Sequence, residues 1–422
     1  MNSPLQVAIL AIAIGLIPLR NARAMQTPCC EEPVAIGRPA TTALVWPNSS
    51  DEPARIAFRA TLASEGDVRK QPSGFTRFRS MVVGTSEALA QVKRPYDVTV
   101  SPDRRVFVSD GARSQVLVFD PRTRSAKYLG ETGPGRGRLV KPMGLGIDAR
   151  GNVYVADPGA KRVVAFAPDG AALRTYGSPS VFLNPVDVAV DTVTGIVYVA
   201  DSYLHQVLAF RQSDGTLLRR LGLNVGDIAT KQRKLGTEGI EAATHGLAAA
   251  DLATQSSLGH SPNRTNEPRD LVENRGAKPG EFRYPSFLAV GPKGTLYVSD
   301  ALNFRVQAFD REGVFLRSIG KQGSGPGMFA RPKGVAVDSE GHLYVADGAF
   351  SNVQIFDEQG RLLLAFGQGG RGEGEMVLPL GLHIDQNDFI YIADRTNDRL
   401  QVFQYLRTSP RGVSVVPAGS AP

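Results

Sequence analysis

Short apolar runs rich in β-branched residues alternate with turn residues along most of the chain. The segment from Pro332 reads P-K-G-V-A-V-D, S-E-G-H, L-Y-V-A-D, G-A-F-S, N-V-Q-I-F-D, E-Q-G and R-L-L-L-A-F-G. This pattern predicts four short β-strands separated by tight turns. No stretch of the repeated region shows a helical period of apolar residues, so we expect an all-β fold.

The four-strand pattern recurs six times between Pro95 and Leu406, with a period of about 47 residues. Six such units predict a six-bladed β-propeller, in which neighbouring sheets bury one another's faces. The fourth residue after the leading proline is small in five of the six copies, which suits the crowded region near the axis. The blades are predicted to begin near Pro95, Pro142, Pro185, Pro285, Pro332 and Pro379.

The sixth copy contains only three strands before a tail rich in Ser, Pro and Gly. Residues 55–62 resemble the fourth strand of the other copies, so we predict that they complete the sixth blade and close the ring. The propeller then spans residues 54–406, between a flexible leader at 25–53 and a disordered tail at 407–422. A polar insert at residues 223–280 separates the third and fourth blades and is either mobile or a docking arm.

The amino terminus predicts export. Residues 7–19 are apolar but too few to span a bilayer, and residues 22–24 read A-R-A, like a signal-peptide cleavage site. We therefore expect a signal peptide at residues 1–24, a periplasmic or extracellular location, and no membrane span once it is removed. The run lacks the preceding Lys or Arg that signal peptides usually carry.

The net charge and the cysteine content narrow the range of possible functions. Removal of residues 1–24 lowers the formal charge from +7 to +5, which is mild for this length and does not indicate nucleic-acid binding. Cys29 and Cys30 are adjacent and lie in the leader, so they do not staple the fold. No Cys-x-x-Cys-His motif is present, so the chain carries no c-type haem of its own.

An aspartate ends the second strand in every copy. A role in one reaction would appear in one blade, whereas a structural role repeats in all of them. We therefore predict that each aspartate caps the following turn by accepting backbone N–H groups. These aspartates are Asp110, Asp157, Asp201, Asp300, Asp347 and Asp394.

Three residues are weak candidates for a metal site on the axis. Asp97 and Asp187 occupy the second position after the leading proline and could hold Ca²⁺ near the channel mouth, although blades one and three are not neighbours. His383 is the one histidine expected near the axis, and the five histidines fall at different repeat positions, which does not favour a zinc site. We predict no catalytic residue and no cofactor, with Ca²⁺ or Zn²⁺ only if the chain is an enzyme.

The bends after the repeated aspartates differ between blades, and their Arg, Asn, Tyr and Phe content is typical of protein interfaces. For Arg305 and Arg399 an internal salt bridge is the favoured interpretation. The candidates for partner binding are Arg113, Lys161, Arg162, Tyr203, His205, Asn303, Phe350 and Asn397.

The runs at 332–338, 343–347 and 300–310, with the linkers G-P-G-M-F-A-R-P and K-P-G-E-F-R-Y-P, resemble the NHL repeat. The resemblance covers all six copies and extends to exported bacterial six-bladed propellers whose genes often lie beside those of multihaem c-type cytochromes. It implies a monomeric, non-catalytic scaffold that binds another protein, such as a c-type cytochrome. The alternative is a metal-dependent hydrolase, lactonase or lyase that uses the axial channel.

Overall fold

The structure is a computed structural model that describes residues 36–48, 52–69, 89–130, 137–222 and 276–407. The predicted signal peptide, residues 25–35 and 49–51 of the leader, the insert as far as residue 275 and the tail from residue 408 lie outside these ranges. Within them, no helix is long and apolar enough to cross a membrane.

The described residues form six antiparallel sheets arranged as six blades, which confirms the predicted propeller. In each blade the first strand lies nearest the axis and the fourth at the rim. The first strands are Pro95–Val100, Leu145–Ile147, Pro185–Asp191, Pro285–Val290, Pro332–Val337 and Pro379–Ile384. The second strands are Val106–Asp110, Val153–Asp157, Ile196–Asp201, Leu296–Asp300, Leu343–Asp347 and Phe389–Asp394.

In blades one to five the fourth strand is the most exposed of the four. The third strands are Gln115–Asp120, Arg162–Phe166, Gln206–Arg211, Arg305–Phe309, Asn352–Phe356 and Arg399–Tyr405. The fourth strands are Ser125–Leu129, Ala172–Tyr176, Leu217–Leu221, Phe315–Ile319, Leu362–Phe366 and, in the sixth blade, Ile56–Leu62. Short strands lie at Arg38–Pro39, Val45–Trp46, Gln368–Gly369 and Glu375–Met376, and 3-10 turns at Glu65–Asp67, Pro158–Ala160, Ala301–Asn303 and Arg395–Asn397.

The closing strand Ile56–Leu62 pairs antiparallel with Arg399–Tyr405, and thereby completes the sixth blade as predicted. Arg38–Pro39 and Val45–Trp46 add to the closing strand, so this sheet has six strands. The Trp46 and Phe403 rings pack with their centroids 5.7 Å apart, and this contact holds the added segment on the blade.

The core consists of six clusters, and each joins two neighbouring blades. The cluster between blades one and six, for example, contains Val98, Phe119, Tyr391 and Val402. Because every sheet is sandwiched between two others, its apolar side chains are buried on both faces, as expected for stacked repeats.

The linkers between blades lock onto the ends of the fourth strands. Gly320 has a φ of +78°, and a Cβ at this position would run into the Phe329 ring of the linker. Phe329 is fully buried between blades four and five. Glycine is required here both for its backbone conformation and for the close approach of the aromatic ring.

Two faces of the ring follow from this geometry. The proline face carries the beginnings of the first strands, the linkers and the bends after the repeated aspartates, since Pro95 pairs with Asp110 and Pro332 with Asp347. The turn face carries the turns between first and second strands. There Gly341 N–H donates to the Asp338 carbonyl, and this Gly has a φ of +91°.

Candidate functional site

The repeated aspartates fasten the second strands to the linkers. Asp347, which is fully buried, accepts backbone N–H groups from Ala330 at 2.8 Å and Arg331 at 3.1 Å in the linker, and from Ala349 at 2.8 Å and Phe350 at 3.1 Å in the following turn. Each of the six accepts at least one N–H from the linker that precedes its blade. Their repeated position therefore serves the scaffold.

The turn itself is bonded in two ways. The aspartates that accept backbone N–H groups from it are Asp110, Asp201 and Asp347. In blade four, the Asp300 carboxylate accepts instead from Asn303 Nδ2 at 2.9 Å and Arg305 Nε at 2.9 Å. In blade six, Asn397 Nδ2 and Arg399 Nε donate in the same way to Asp394. In blade two, Asp157 accepts its backbone N–H groups from the linker. The predicted turn cap thus describes one of two bonding patterns.

Three of the eight candidates for partner binding, His205, Asn303 and Asn397, are occupied inside the blades. Asn303 and Arg305 reach across to the carbonyls of Gly276 and Lys278 in the linker, and Asn397 reaches that of Gly370. His205 is 2% exposed, and its Nδ1 accepts the Tyr284 N–H at 3.0 Å.

The remaining candidates lie at the surface of the proline face. Arg113 is shared between Asp110 and a backbone carbonyl, and Arg162 donates to the Arg138 carbonyl. Lys161 takes the left-handed position of its turn, at a φ of +50°. Tyr203 contacts the Tyr284 ring at 5.8 Å, and Phe350 is half-buried.

Asp97 and Asp187 come together at the neck of the axial channel, although their blades are separated by blade two. Blade two contributes only Gly144 at this level, and a Cβ there would lie 2.7 Å from the Val186 carbonyl oxygen and would collide with Asp187 Oδ1. Gly381 likewise leaves room for Asp97. The absence of side chains at these glycines lets the two carboxyl groups interact directly.

Each acid also ties its own blade to the next. The Leu145 N–H of blade two donates to Asp97 Oδ2 at 2.7 Å, and the Leu288 N–H of blade four donates to Asp187 Oδ2 at 2.7 Å. Asp97 Oδ1 accepts the Val98 N–H at 2.9 Å. The remaining oxygen, Asp187 Oδ1, is buried without a partner other than the Asp97 carboxyl group beside it.

Burial raises the pKa of Asp97 to about 7, although backbone N–H donors oppose the shift. Burial and the negative charge of Asp97 raise the pKa of Asp187 well above its ordinary value. We infer that Asp187 holds the proton of the pair at neutral pH, because its unpartnered oxygen can donate to Asp97. The neck is thus an acid pair that shares a proton.

Above this pair, on the proline face, lies what we call the axial mouth: Tyr96, Phe287, Lys333 and Arg395. Tyr96 of blade one stacks on Phe287 of blade four across the axis, with ring centroids 5.2 Å apart and planes at 18°. Burial raises the pKa of the Tyr96 hydroxyl, as do Asp187 and Asp97, so it stays protonated.

The two cations of the axial mouth have no counter-ion among the described residues. Within the part of the chain that the structure describes, neither Lys333 nor Arg395 makes a side-chain hydrogen bond or an ion pair. Burial and then the positive charge of Arg331 lower the pKa of Lys333 to about 8; Asp347 opposes this shift, and Arg395 adds a smaller contribution to it. Burial and then Arg94 lower the pKa of Arg395.

The turn face is charged too, but its acids are held by hydrogen bonds or by an ion pair. Asp338 accepts from the N–H of His342 at 2.9 Å and from the Tyr344 hydroxyl at 3.1 Å, and Arg311 lies 3.3 Å from Asp191. Asp191, Arg311 and Asp338 line a shallow depression of about 290 Å³.

His383 lies at the turn-face end of the axis, where its Nδ1 is 3.3 Å from Thr99 Oγ1. Burial lowers its pKa to about 4, so the imidazole is neutral. His383 is far from Asp97 and Asp187 both in the sequence and along the channel axis. The described residues contain no cluster of three or more His, Cys, Asp or Glu residues able to bind a metal ion.

The sequence carried a signal for the axial mouth that position-by-position reasoning did not use. Lys333 and Tyr96 occupy the residue after the leading proline, where the other copies have Met143, Val186, Ser286 or Leu380. Departures of this kind from a repeat mark blade-specific chemistry, but which of them face one another depends on the closed ring.

Comparisons with known proteins agree with the fold. A family model described as NHL repeat matches residues 182–210, and one described as 6-bladed beta-propeller matches residues 290–347. Peptidyl-glycine alpha-amidating monooxygenase A of Xenopus laevis is 28% identical over 219 residues, which are 50% of this chain and 18% of that protein. The Mus musculus protein of that name is 26% identical over 204 residues, 46% of this chain and 16% of that protein. The chain thus spans less than a fifth of the length of these relatives.

Two solved structures show the same fold. A gluconolactonase from Xanthomonas campestris superposes with a TM-score of 0.54 at 16% identity, and covers 89% of this chain and 99% of its own. A protein of unknown function from Bacteroides thetaiotaomicron gives a TM-score of 0.50 at 16% identity, over 75% of this chain and 70% of its own. At this level of identity the similarity concerns the fold alone.

Proposed function

Because this chain belongs to the NHL-repeat family of six-bladed β-propellers, we propose that it is a non-catalytic scaffold that binds an acidic surface of another protein on its proline face. The supporting observation is the contrast in charge between the two faces. On the turn face Arg311 lies 3.3 Å from Asp191 and Asp338 accepts hydrogen bonds, whereas Lys333 and Arg395 of the proline face have no ion pair among the described residues.

The proline face has further features of a protein interface. Arg331 is exposed beside Lys333, and its guanidinium has no ion pair with any residue that the structure describes. Val140 in a linker and Leu302 in a bend expose 51% and 45% of their surface on the same face. Arginine and apolar side chains together are typical of interface cores, and unneutralised cations favour an acidic partner.

The location and the kind of partner remain part of the proposal. An exported propeller with this face suits a periplasmic or extracellular protein, and the family resemblance points to c-type cytochromes as one class of partner. A cationic docking face accelerates encounter with an acidic protein and weakens as salt is added.

The test is affinity capture of the tagged protein from its native envelope at low salt. A double variant Lys333→Gln/Arg395→Gln should lose the partner that the wild type retains. The matched control Lys127→Gln/Arg150→Gln removes the same charge from two exposed residues that lie off the proline face, and it should retain the partner. Equal recovery with both double variants would contradict docking at the axial mouth.

The second candidate is a hydrolase, lactonase or lyase that uses the axial channel, and the Asp97–Asp187 pair favours it. A carboxyl pair whose pKa values are raised by burial is a frequent feature of catalytic sites. Against this, the Tyr96–Phe287 stack covers the pair, and three of its four oxygens accept backbone N–H groups. Lactone hydrolysis that depends on added Ca²⁺ or Zn²⁺ and is lost in Asp187→Asn would support this candidate over the scaffold.

A further inference from the structure

The axial mouth keeps two cations where protein atoms exclude much of the water. A charged group that is removed from water without a counter-ion is destabilising, so such groups are usually paired. Lys333 and Arg395 are both half-buried, and both lack a carboxylate partner among the described residues. The neighbouring Asp347 does not fill this role, because its oxygens accept four backbone N–H groups.

The floor of the axial mouth is aromatic. Tyr96 and Phe287 lie nearly parallel across the axis, and the Tyr203 and Tyr284 rings meet at 5.8 Å on the side of blades three and four. The cations lie on the side of blades five and six. The mouth therefore presents positive charge on one side and flat apolar surfaces on the other, a combination that suits an amphipathic ligand.

From this juxtaposition we propose that the axial mouth binds a small carboxylate carried on a flat apolar ring. Lys333 and Arg395 pair with the carboxylate, the Tyr96 hydroxyl donates to one of its oxygens, and the ring of the ligand packs against the aromatic side. The proposal shares its location with the proposed function but does not depend on a protein partner, since a small acid can be tested with the purified chain alone.

The charges around the site set its pH dependence. Lys333, Arg395, Arg331 and Arg94 attract an anion, whereas Asp97 beneath the aromatic floor repels it when ionised. The pKa of Asp97 is about 7 and that of Lys333 about 8. As the pH rises from 6 to 9, the mouth first gains a negative charge and then loses a positive one. Both changes weaken the binding of a carboxylate.

The experiment is isothermal titration calorimetry of the full chain with benzoate and with benzamide, its neutral analogue, at low ionic strength. We expect benzoate to bind at pH 6.5 and benzamide not to bind. Affinity should fall about 10- to 100-fold in Lys333→Gln or Arg395→Gln, as for loss of one charge-assisted hydrogen bond. Arg150→Gln should bind like the wild type. The affinity of the wild type should also fall steadily to pH 9, a result that needs no variant.

Absence of benzoate binding at 20 mM in the folded wild type, equal binding of benzamide, or an affinity that both mouth variants leave unchanged would overturn the proposal. A capped tetraglutamate peptide separates it from the proposed function. If the peptide binds through Lys333 and Arg395 while benzoate does not, the small-acid site is wrong and protein docking still stands. If benzoate binds as expected but capture yields no partner, the docking proposal fails instead.

Discussion

The two ends of the axial channel carry similar numbers of charged groups and use them differently. On the turn face, Asp338 and Asp191 are bonded to groups of their own or the neighbouring blade, so these charged groups stabilise the fold. In the axial mouth, Lys333 and Arg395 lie unpaired above an acid pair that shares a proton. The difference shows that a charged group alone does not mark a binding site in a repeat protein, whereas a charged group that the fold leaves without an ion pair does.

The largest expected effect concerns the neck below the axial mouth. In Gly381→Ala the new Cβ would lie 2.6 Å from Asp97 Cα and would collide with its carboxylate, so backbone must move in two blades. We expect a loss of roughly 3 kcal/mol or more in the free energy of unfolding, measured by urea denaturation. Gly291→Ala on the turn face is the control, because its Cβ would meet nothing nearer than 3.5 Å. Equal losses would mean that the neck is not tightly packed.

The second prediction tests the turn face. Asp338→Ala leaves the buried Tyr344 hydroxyl and two N–H groups without their acceptor, and should cost about 2–4 kcal/mol. Asp357→Ala removes a similar turn aspartate at the rim of the same blade, where water can replace it, and should cost clearly less. If both variants lose the same amount in urea denaturation, the turn-face acids are not the buried anchors that we describe.

The third prediction concerns the proton of the acid pair. Because burial raises the folded-state pKa of Asp97 and Asp187, the stability they contribute is complete below the unfolded-state pKa of about 4 and is lost as the pH rises from there to 7 and above. Asp187→Asn imitates the protonated acid, since its amide can donate to Asp97. It should raise the free energy of unfolding by about 1–2 kcal/mol at pH 8 and change it little at pH 4.

Asp97→Asn provides the matched comparison for this pair. Its two oxygens accept the N–H groups of Leu145 and Val98, and an amide can accept only one of them. This variant should therefore be destabilised at both pH values. A parallel pH dependence of unfolding in the wild type and in Asp187→Asn would rule out the shared proton.

The smallest expected effect is that of Lys333→Met. An unpaired, half-buried cation contributes nothing to folding, so its replacement by an apolar side chain of similar length should leave stability unchanged or raise it by up to about 1 kcal/mol. A loss above about 2 kcal/mol in urea denaturation would show that Lys333 has a structural role, and would remove the contrast between the two faces.

The sequence was sufficient for the architecture because the relevant signals are local. Pro332 to Phe366 spells out four strands with their turns, and the likeness of residues 56–62 to a fourth strand identifies the closure of the ring. The period then places each element in a known position of a blade. Strand patterns and repeat length depend on neighbours in sequence, which a single chain displays directly.

The site was less predictable because it depends on positions where glycine leaves no side chain. The separation of blades one and three argued against contact between Asp97 and Asp187, yet the glycine of blade two opens the way between them. Tyr96 and Phe287 meet across the axis although 191 positions separate their numbers. Contacts of this kind follow from ring closure and from empty space, and neither is written in a local pattern.

The closing strand has a consequence for the order of assembly. Ile56–Leu62 is synthesised before any blade, but its partner Arg399–Tyr405 comes at the end of the described chain. The first blade strand made is therefore the last to find its blade, and its pairing with Arg399–Tyr405 waits until the rest of the ring has formed. Closing so long a loop is entropically costly and slow. Once it is made, the ring has no loose end from which a single blade can peel away, so we expect it to unfold as one unit.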